Sequence, residues 1–224
     1  MSARTISRAR RWSVFPRGQV QGWPRLFDRS ARRHNGHVTS AKPTFLVAAP
    51  SLSCPFFGHS VVLLVDHDDE GSFGFVVNKG SVLKLPEILT ELGKVPGKRA
   101  EDVDVIRGGP VSPETGWVIF DPRDCDSLPG DVMVLSDHLA VTASVEMLDA
   151  IAADRGPKRA VLALGYAGWG PGQLEDELRE GSWLPMDVDL EVLFSVEYEE
   201  RWERALSDLG IEPWRVVPRG SAQA

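Results

Sequence analysis

The chain has 224 residues, 42% of them hydrophobic and 25% charged, with a formal net charge of -7, and a chain of that size can bury one large core. The charge is unevenly placed: residues 1–40 hold nine arginines, no lysine and one acid, Asp28, whereas the remainder holds 16 basic against 31 acidic residues. A body of that sign repels nucleic-acid phosphates at long range, which argues against direct DNA binding by it.

Residues 1–42 are rich in Arg, Ser, Gly and Pro with scattered apolar residues, so no helix or strand face can be drawn and a disordered basic tail is expected. Three origins compete: an arm that contacts nucleic acid or acidic lipid, an arginine-rich transit peptide, and, as the favoured one, upstream sequence translated from a misplaced start, with Val38 as the true start. No apolar run reaches the ~18 residues of a membrane span and no secretory apolar stretch follows the basic start, so a soluble cytoplasmic protein is expected, with no membrane contact. Two cysteines, Cys54 and Cys125, are too few for a disulfide framework or a sulfur-ligated metal site. No metal and no cofactor is expected.

Ordered patterning starts at residue 43. Residues 44–49, 60–66 and 73–78 are β-branched and aromatic runs, and "HDDEGS" between the last two reads as a hairpin turn. "DHDDEG" resembles the opening of a calcium loop, but its twelfth position is Val77 and strands flank it, so a solvated turn is the better reading. His67 with Asp66 and Asp68 lacks a fourth metal ligand from elsewhere. Asn78 ends its strand and suits left-handed backbone. Leu85, Ile88, Leu89 and Leu92 at helical spacing predict a helix stopped by Gly93. Strands are expected at 103–107, 116–121, 131–137 and 159–165, and a helix on Val145, Leu148 and Ala152. "RGGPVSP" (107–113) can form a concave nest of amides around Gly108 and Gly109. His138, after Asp137, suits a turn or cap. A final helix carries Tyr198, Trp202, Leu206 and Leu209, closed by Gly210.

Strands in runs with helices interspersed predict an α+β fold: one compact domain over 43–212, with tails at 1–42 and 213–224. The segment "LALGYAGWGPGQLEDEL" (162–178) has the strand, glycines and helix of a phosphate cradle but not the G-x-G-x-x-G spacing. Glu175, Asp176 and Glu177 at the helix start complement the helix dipole themselves and repel a phosphate there. The glycines therefore read as turn formers, with Pro171 pre-setting the helix start and Leu174 and Leu178 docking it. Tyr166 and Trp169 close a pocket or pack beneath the turn.

"GYAGWGPGQLEDELREGSWL", "PSLSCPFFGHSVVLLVDHDDEGSFGFVVNKG", "GGPVSPETGWVIF" and "RWERALSDLGI" together resemble the AlgH/YqgE family of bacterial proteins over about residues 43–211. The resemblance implies a curled, mostly antiparallel or mixed sheet flanked by helices and a biochemical role that is not established, although members are often labelled transcriptional regulators. The acidic body and the lack of a recognisable helix-turn-helix argue against direct DNA reading. Relatives usually carry Asp at the position of Cys54 and a basic residue at that of His59, so a shared mechanism does not rest on a Cys54–His59 thiol nucleophile; at His138 they tend to have Asn.

The function expected from these readings is a non-catalytic binding or regulatory module acting through an unknown protein or small-molecule partner. A ligand site is expected where Ser51, Asn78, Gly108, Gly109, Tyr166, Trp169 and Gln173 converge. The alternative is a small hydrolase or transferase with a pocket rimmed by the glycine loops, and a third reading is nucleic-acid contact through the arginine tail.

Overall fold

The computed structural model describes residues 42–212; apart from Lys42, the expected tails lie outside the described residues, and so do Val38 and the arginine-rich segment. Among the described residues the chain runs β1 (Thr44–Ala48), β2 (Val61–Asp68), β3 (Gly71–Val76), α1 (Leu85–Glu91), β4 (Asp104–Arg107), β5 (Val111–Phe120), β6 (Met133–Ser136), β7 (Leu139–Thr142), α2 (Val145–Ala152), β8 (Ala160–Trp169), α3 (Gln173–Arg179), β9 (Trp183–Asp187), α4 (Leu190–Phe194) and α5 (Arg201–Asp208). The fold is α+β, and its sheet curls into a half-barrel. Strand order is β6-β7-β5-β8-β3-β2-β1-β9, antiparallel at each step, with β4 parallel to β8.

The centre of this topology is β8. Its residues Val161 to Leu164 pair with β4 along one edge and with β5 along the other, so the short link Gly108-Gly109-Pro110 must carry the chain across the β8 backbone. Steric demand at that crossing explains the glycines. A Cβ on Gly109 would lie 1.9 Å from the Tyr166 carbonyl carbon, and Gly165 beneath it sits at φ 71 with the Gly109 and Val111 carbonyl oxygens 2.7 Å from its missing Cβ. The Gly108 amide donates to the Leu164 carbonyl and its own carbonyl accepts from Val76. These groups complete the sheet instead of forming an open nest.

Alternation along β8 sorts the core. Val161, Ala163 and Tyr166 face a cluster built on Phe45, Leu63, Phe73, Phe75, Ile106 and Ile119, which α4 and α5 cover with Val192, Leu193, Trp202, Ala205 and Leu206. Leu162 and Leu164 face the opposite side, where α1 and α2 bring Leu85, Leu89, Met147 and Ile151. Further along that side, Ala167 and Trp169 meet Leu174 of α3, Trp183 of β9 and the loop carrying Leu52, Phe56 and Phe57.

Several expectations are corrected. The strands of the first hairpin run through the supposed loop to a turn at Asp69 and Glu70, because His67 and Asp68 pair with Ser72 and Gly71. Residues 131–142 hold two short strands turning at Asp137 and His138. The α2 face is centred on Met147, Leu148 and Ile151. Pro171 precedes Gly172, the α3 N-cap at φ 74, so glycine geometry, not proline, sets that helix start. The strand β9 and the helix α4 have no counterpart in the sequence reading: Pro185 interrupts one pattern, and five residues are too few to show helical period in the other.

Candidate functional site

The expected convergence of seven residues resolves into separate places. Ser51 is exposed in the turn that follows β1, next to Leu52, which packs into the Trp169 cluster. Trp169 and Gln173 lie together on that face. Tyr166 points to the other face and packs on Phe73, with ring centroids 4.8 Å apart, and burial pushes its hydroxyl pKa up. Gly108 and Gly109 occupy the crossing over β8. Asn78 adjoins that crossing through the neighbours Lys79 and Arg107, whose backbones are bonded to each other.

At the α3 corner the glycine-rich segment is a brace. The Gly165 and Gly168 positions lie inside β8, so Trp169 arrives as the last strand residue. Its indole donates to Glu177 Oε2 at 2.9 Å, Trp183 donates to the same oxygen at 2.6 Å, and the Gln173 amide donates to Oε1 at 2.8 Å. Gln173 Oε1 accepts from the Gly170 amide at 3.1 Å. Phe57 closes the cluster, 6.3 Å from Trp169 and 5.9 Å from Trp183. Glu175 and Asp176 occupy the first helical turn as the charge argument required, whereas Glu177 ties the last strand to the sheet. Each hydrogen bond to its carboxylate contributes about 1.5–3 kcal/mol.

Sequence reasoning missed a Ser–His–Glu line beside this corner. Ser72 Oγ is 2.8 Å from His67 Nδ1, and His67 Nε2 is 3.8 Å from Glu175 Oε1. The pairing of His67 with Ser72 across β2 and β3 creates it; the signal was present only as register, which the assumed loop concealed. Ser72 is 2% exposed, so its hydroxyl is buried against His67.

The other side of the loop that carries Phe57 is built differently. Residues 55–59 form a turn anchored by the two phenylalanines, as expected from Cys54-Pro55-Phe56-Phe57. His59, not Asn78, takes the left-handed backbone, at φ 56. Its ring meets Trp202 at 4.2 Å. Asn78 fastens the loop: Nδ2 donates to the His59 carbonyl at 2.8 Å, and Oδ1 accepts from the Val61 amide at 2.9 Å. Lys79 reaches back under the loop, donating to the Gly58 carbonyl at 3.5 Å with the Phe56 ring 5.8 Å away. Burial lowers the Lys79 ammonium pKa, Arg107 lowers it further, and the Cys54 thiol opposes this.

Two other charged groups are structural. Asp121, fully buried at the end of β5, accepts from the backbone and guanidinium of Arg123, and the Arg159 guanidinium lies 2.6 Å away. The Arg123 hydrogen bond is the largest cause holding its carboxyl below the usual range. Arg201, 2% exposed, donates to the Val196 and Val77 carbonyls and lies over the Tyr198 ring, pinning α5 to the end of β3. Among the described residues no three His, Cys, Asp or Glu side chains gather as a metal site, and no helix is long and apolar enough to cross a membrane.

The glycine crossing at β8 and the Trp169–Glu177 brace involve the same segments that carried the sequence resemblance, and residues 45–214 match the family model described as AlgH-like. The chain belongs to the AlgH-like family. It is 41% identical over 188 residues to a UPF0301 protein of Anaeromyxobacter dehalogenans, covering 81% of this chain and 95% of that one. A UPF0301 protein of Xanthomonas axonopodis pv. citri is 42% identical over 174 residues, 77% of this chain and 90% of the relative. The solution structure of the AlgH protein from Pseudomonas aeruginosa is similar to this AlgH-like chain with a TM-score of 0.66 at 35% identity, covering 85% of this chain and 97% of that one. A crystal structure of protein DIP2367 from Corynebacterium diphtheriae, at 20% identity and TM-score 0.60 over 80% of this chain and 91% of that one, shares the fold.

Proposed function

We propose that this AlgH-like domain is a non-catalytic binding module that acts through a small ligand or a protein, with any effect on transcription indirect. The observation supporting the reading is how its reactive groups are used. Glu177 holds two indoles and an amide, Asp121 holds two arginines, and the Ser72 hydroxyl is sealed against His67. General acid–base or nucleophilic work needs a group within reach of a substrate, and these groups brace the sheet.

The Ser72–His67–Glu175 line favours the hydrolase alternative and supplies the direct test. The full chain is incubated with aryl esters, phosphate monoesters and peptides, and in parallel its melting temperature is scanned against a panel of small metabolites. The expected result is a ligand that raises the melting temperature with no product formed. Sustained ester turnover lost in Ser72→Ala would replace the binding reading with the hydrolase.

A further inference from the structure

We propose that Lys79 and Arg107 form a binding site for the phosphoryl group of a small ligand; the proposal rests on the binding-module reading and names its ligand class. Gly80 and Ile106 form an isolated antiparallel bridge, and the Arg107 amide donates to the Lys79 carbonyl at 2.8 Å. That register sets Lys79 and Arg107 directly opposite each other on the same side of the two strands. Like charges in cross-strand positions repel. Among the described residues neither has a carboxylate within 4.0 Å, in a body where acids outnumber bases by 31 to 16.

The arrangement is held in place. The loop over Lys79 is fastened at its C-terminal end by both polar atoms of the Asn78 side chain and by the His59 ring on Trp202, with His59 kept at φ 56, and backbone held in such a sparsely populated region is concentrated at ligand sites. Lys79 is half-buried and Arg107 exposed, so the guanidinium is open to solvent while the loop partly covers the ammonium. A guanidinium fork beside an ammonium matches a phosphoryl dianion in charge and in acceptor geometry. A carboxylate would leave one positive charge uncompensated. The acidic remainder of the body repels a long polyanion, which leaves a small ligand.

The test is a titration of the full ¹⁵N-labelled chain, read by amide chemical shifts, with inorganic phosphate, phenyl phosphate, acetate and chloride at matched ionic strength. Saturable shifts confined to residues 58–60, 79–80 and 107–109 are expected for both phosphates. In Arg107→Gln the dissociation constant should rise about tenfold or more, and phosphate should slow acylation of Lys79 by an amine-reactive ester, because a bound anion favours the ammonium. Tighter binding of phenyl phosphate assigns an organic ester and equal binding assigns free phosphate, both within the proposal. Shifts that chloride or acetate reproduce, or that survive in both Arg107→Gln and Lys79→Gln, overturn it. Release of phenol would instead overturn the non-catalytic reading and leave the site standing, so the two failures are distinguishable.

Discussion

The two sides of the loop 51–59 solve opposite problems. On one side Phe57 closes over Trp169 and Trp183, whose shared Glu177 carboxylate is satisfied by three neutral donors. On the other side Phe56 and Gly58 sit over Lys79, whose cross-strand neighbour is another cation. The first arrangement stabilises the fold and leaves little chemistry available; the second costs stability and leaves charge available to a ligand. A region that the fold does not need, yet keeps at a cost, is the better place to look for function.

Substitutions should separate these roles by sign and by size. The largest effect is expected at the crossing both sides depend on. Gly109→Ala drives a methyl group into the Tyr166 backbone and should cost more than about 4 kcal/mol or prevent folding, read by urea denaturation or soluble yield; wild-type stability in that variant would mean that the link does not cross β8 closely. On the braced side, Glu177→Ala strands two indole donors and should cost about 2–4 kcal/mol, accompanied by a change in tryptophan emission. Glu177→Gln keeps one acceptor oxygen for the indoles and should cost less.

Asp121 sharpens the contrast as a function of pH. Its folded pKa is depressed by Arg123 and Arg159, so between the folded and unfolded values the unfolded chain binds more protons. The stabilisation is therefore complete above the unfolded value of about 3.9 and is lost as pH falls through the lower folded value. Melting temperature followed on acidification should show this limb in the wild type and lack it in Asp121→Asn, which should itself cost about 1–3 kcal/mol at neutral pH. The smallest effect has the opposite sign. Arg107→Gln should raise stability by about 0.2–1 kcal/mol through relief of like-charge repulsion; a loss of stability on that substitution would show that the two cations are not in conflict and would remove the contrast.

Much of the fold was legible in local pattern. The α1 helix appears on Leu85, Ile88 and Leu89 and stops at Gly93, at φ 72, and α5 closes at Gly210, also at φ 72, because apolar spacing and a left-handed cap are properties of a few adjacent residues. The glycines at 108 and 109 read from sequence as a nest of amides and Gly165 as a turn former, whereas the structure uses all three for close backbone approach. The segments that cross, 108–109 and 164–166, lie more than fifty positions apart in the chain and meet only because β4 and β5 flank β8. The site was less legible for the same reason. The sequence places Asn78 beside Lys79 and Gly108 beside Arg107, yet nothing local states that Lys79 and Arg107 face each other, or that Tyr166 and Trp169, three residues apart on one strand, turn to opposite faces.

By itself, then, the amino-acid order determined the α+β class, the acidic body, most strand and helix positions, and the preference of Glu175 and Asp176 for the start of α3, since each depends on neighbours within one or two turns of chain. Register, strand order and the crossing over β8 decided the rest: which carboxylate became a brace, which serine was buried against a histidine, and which two cations were set opposite each other. Those outcomes depend on pairings between distant segments, whose free energy is realised only when the whole sheet has closed.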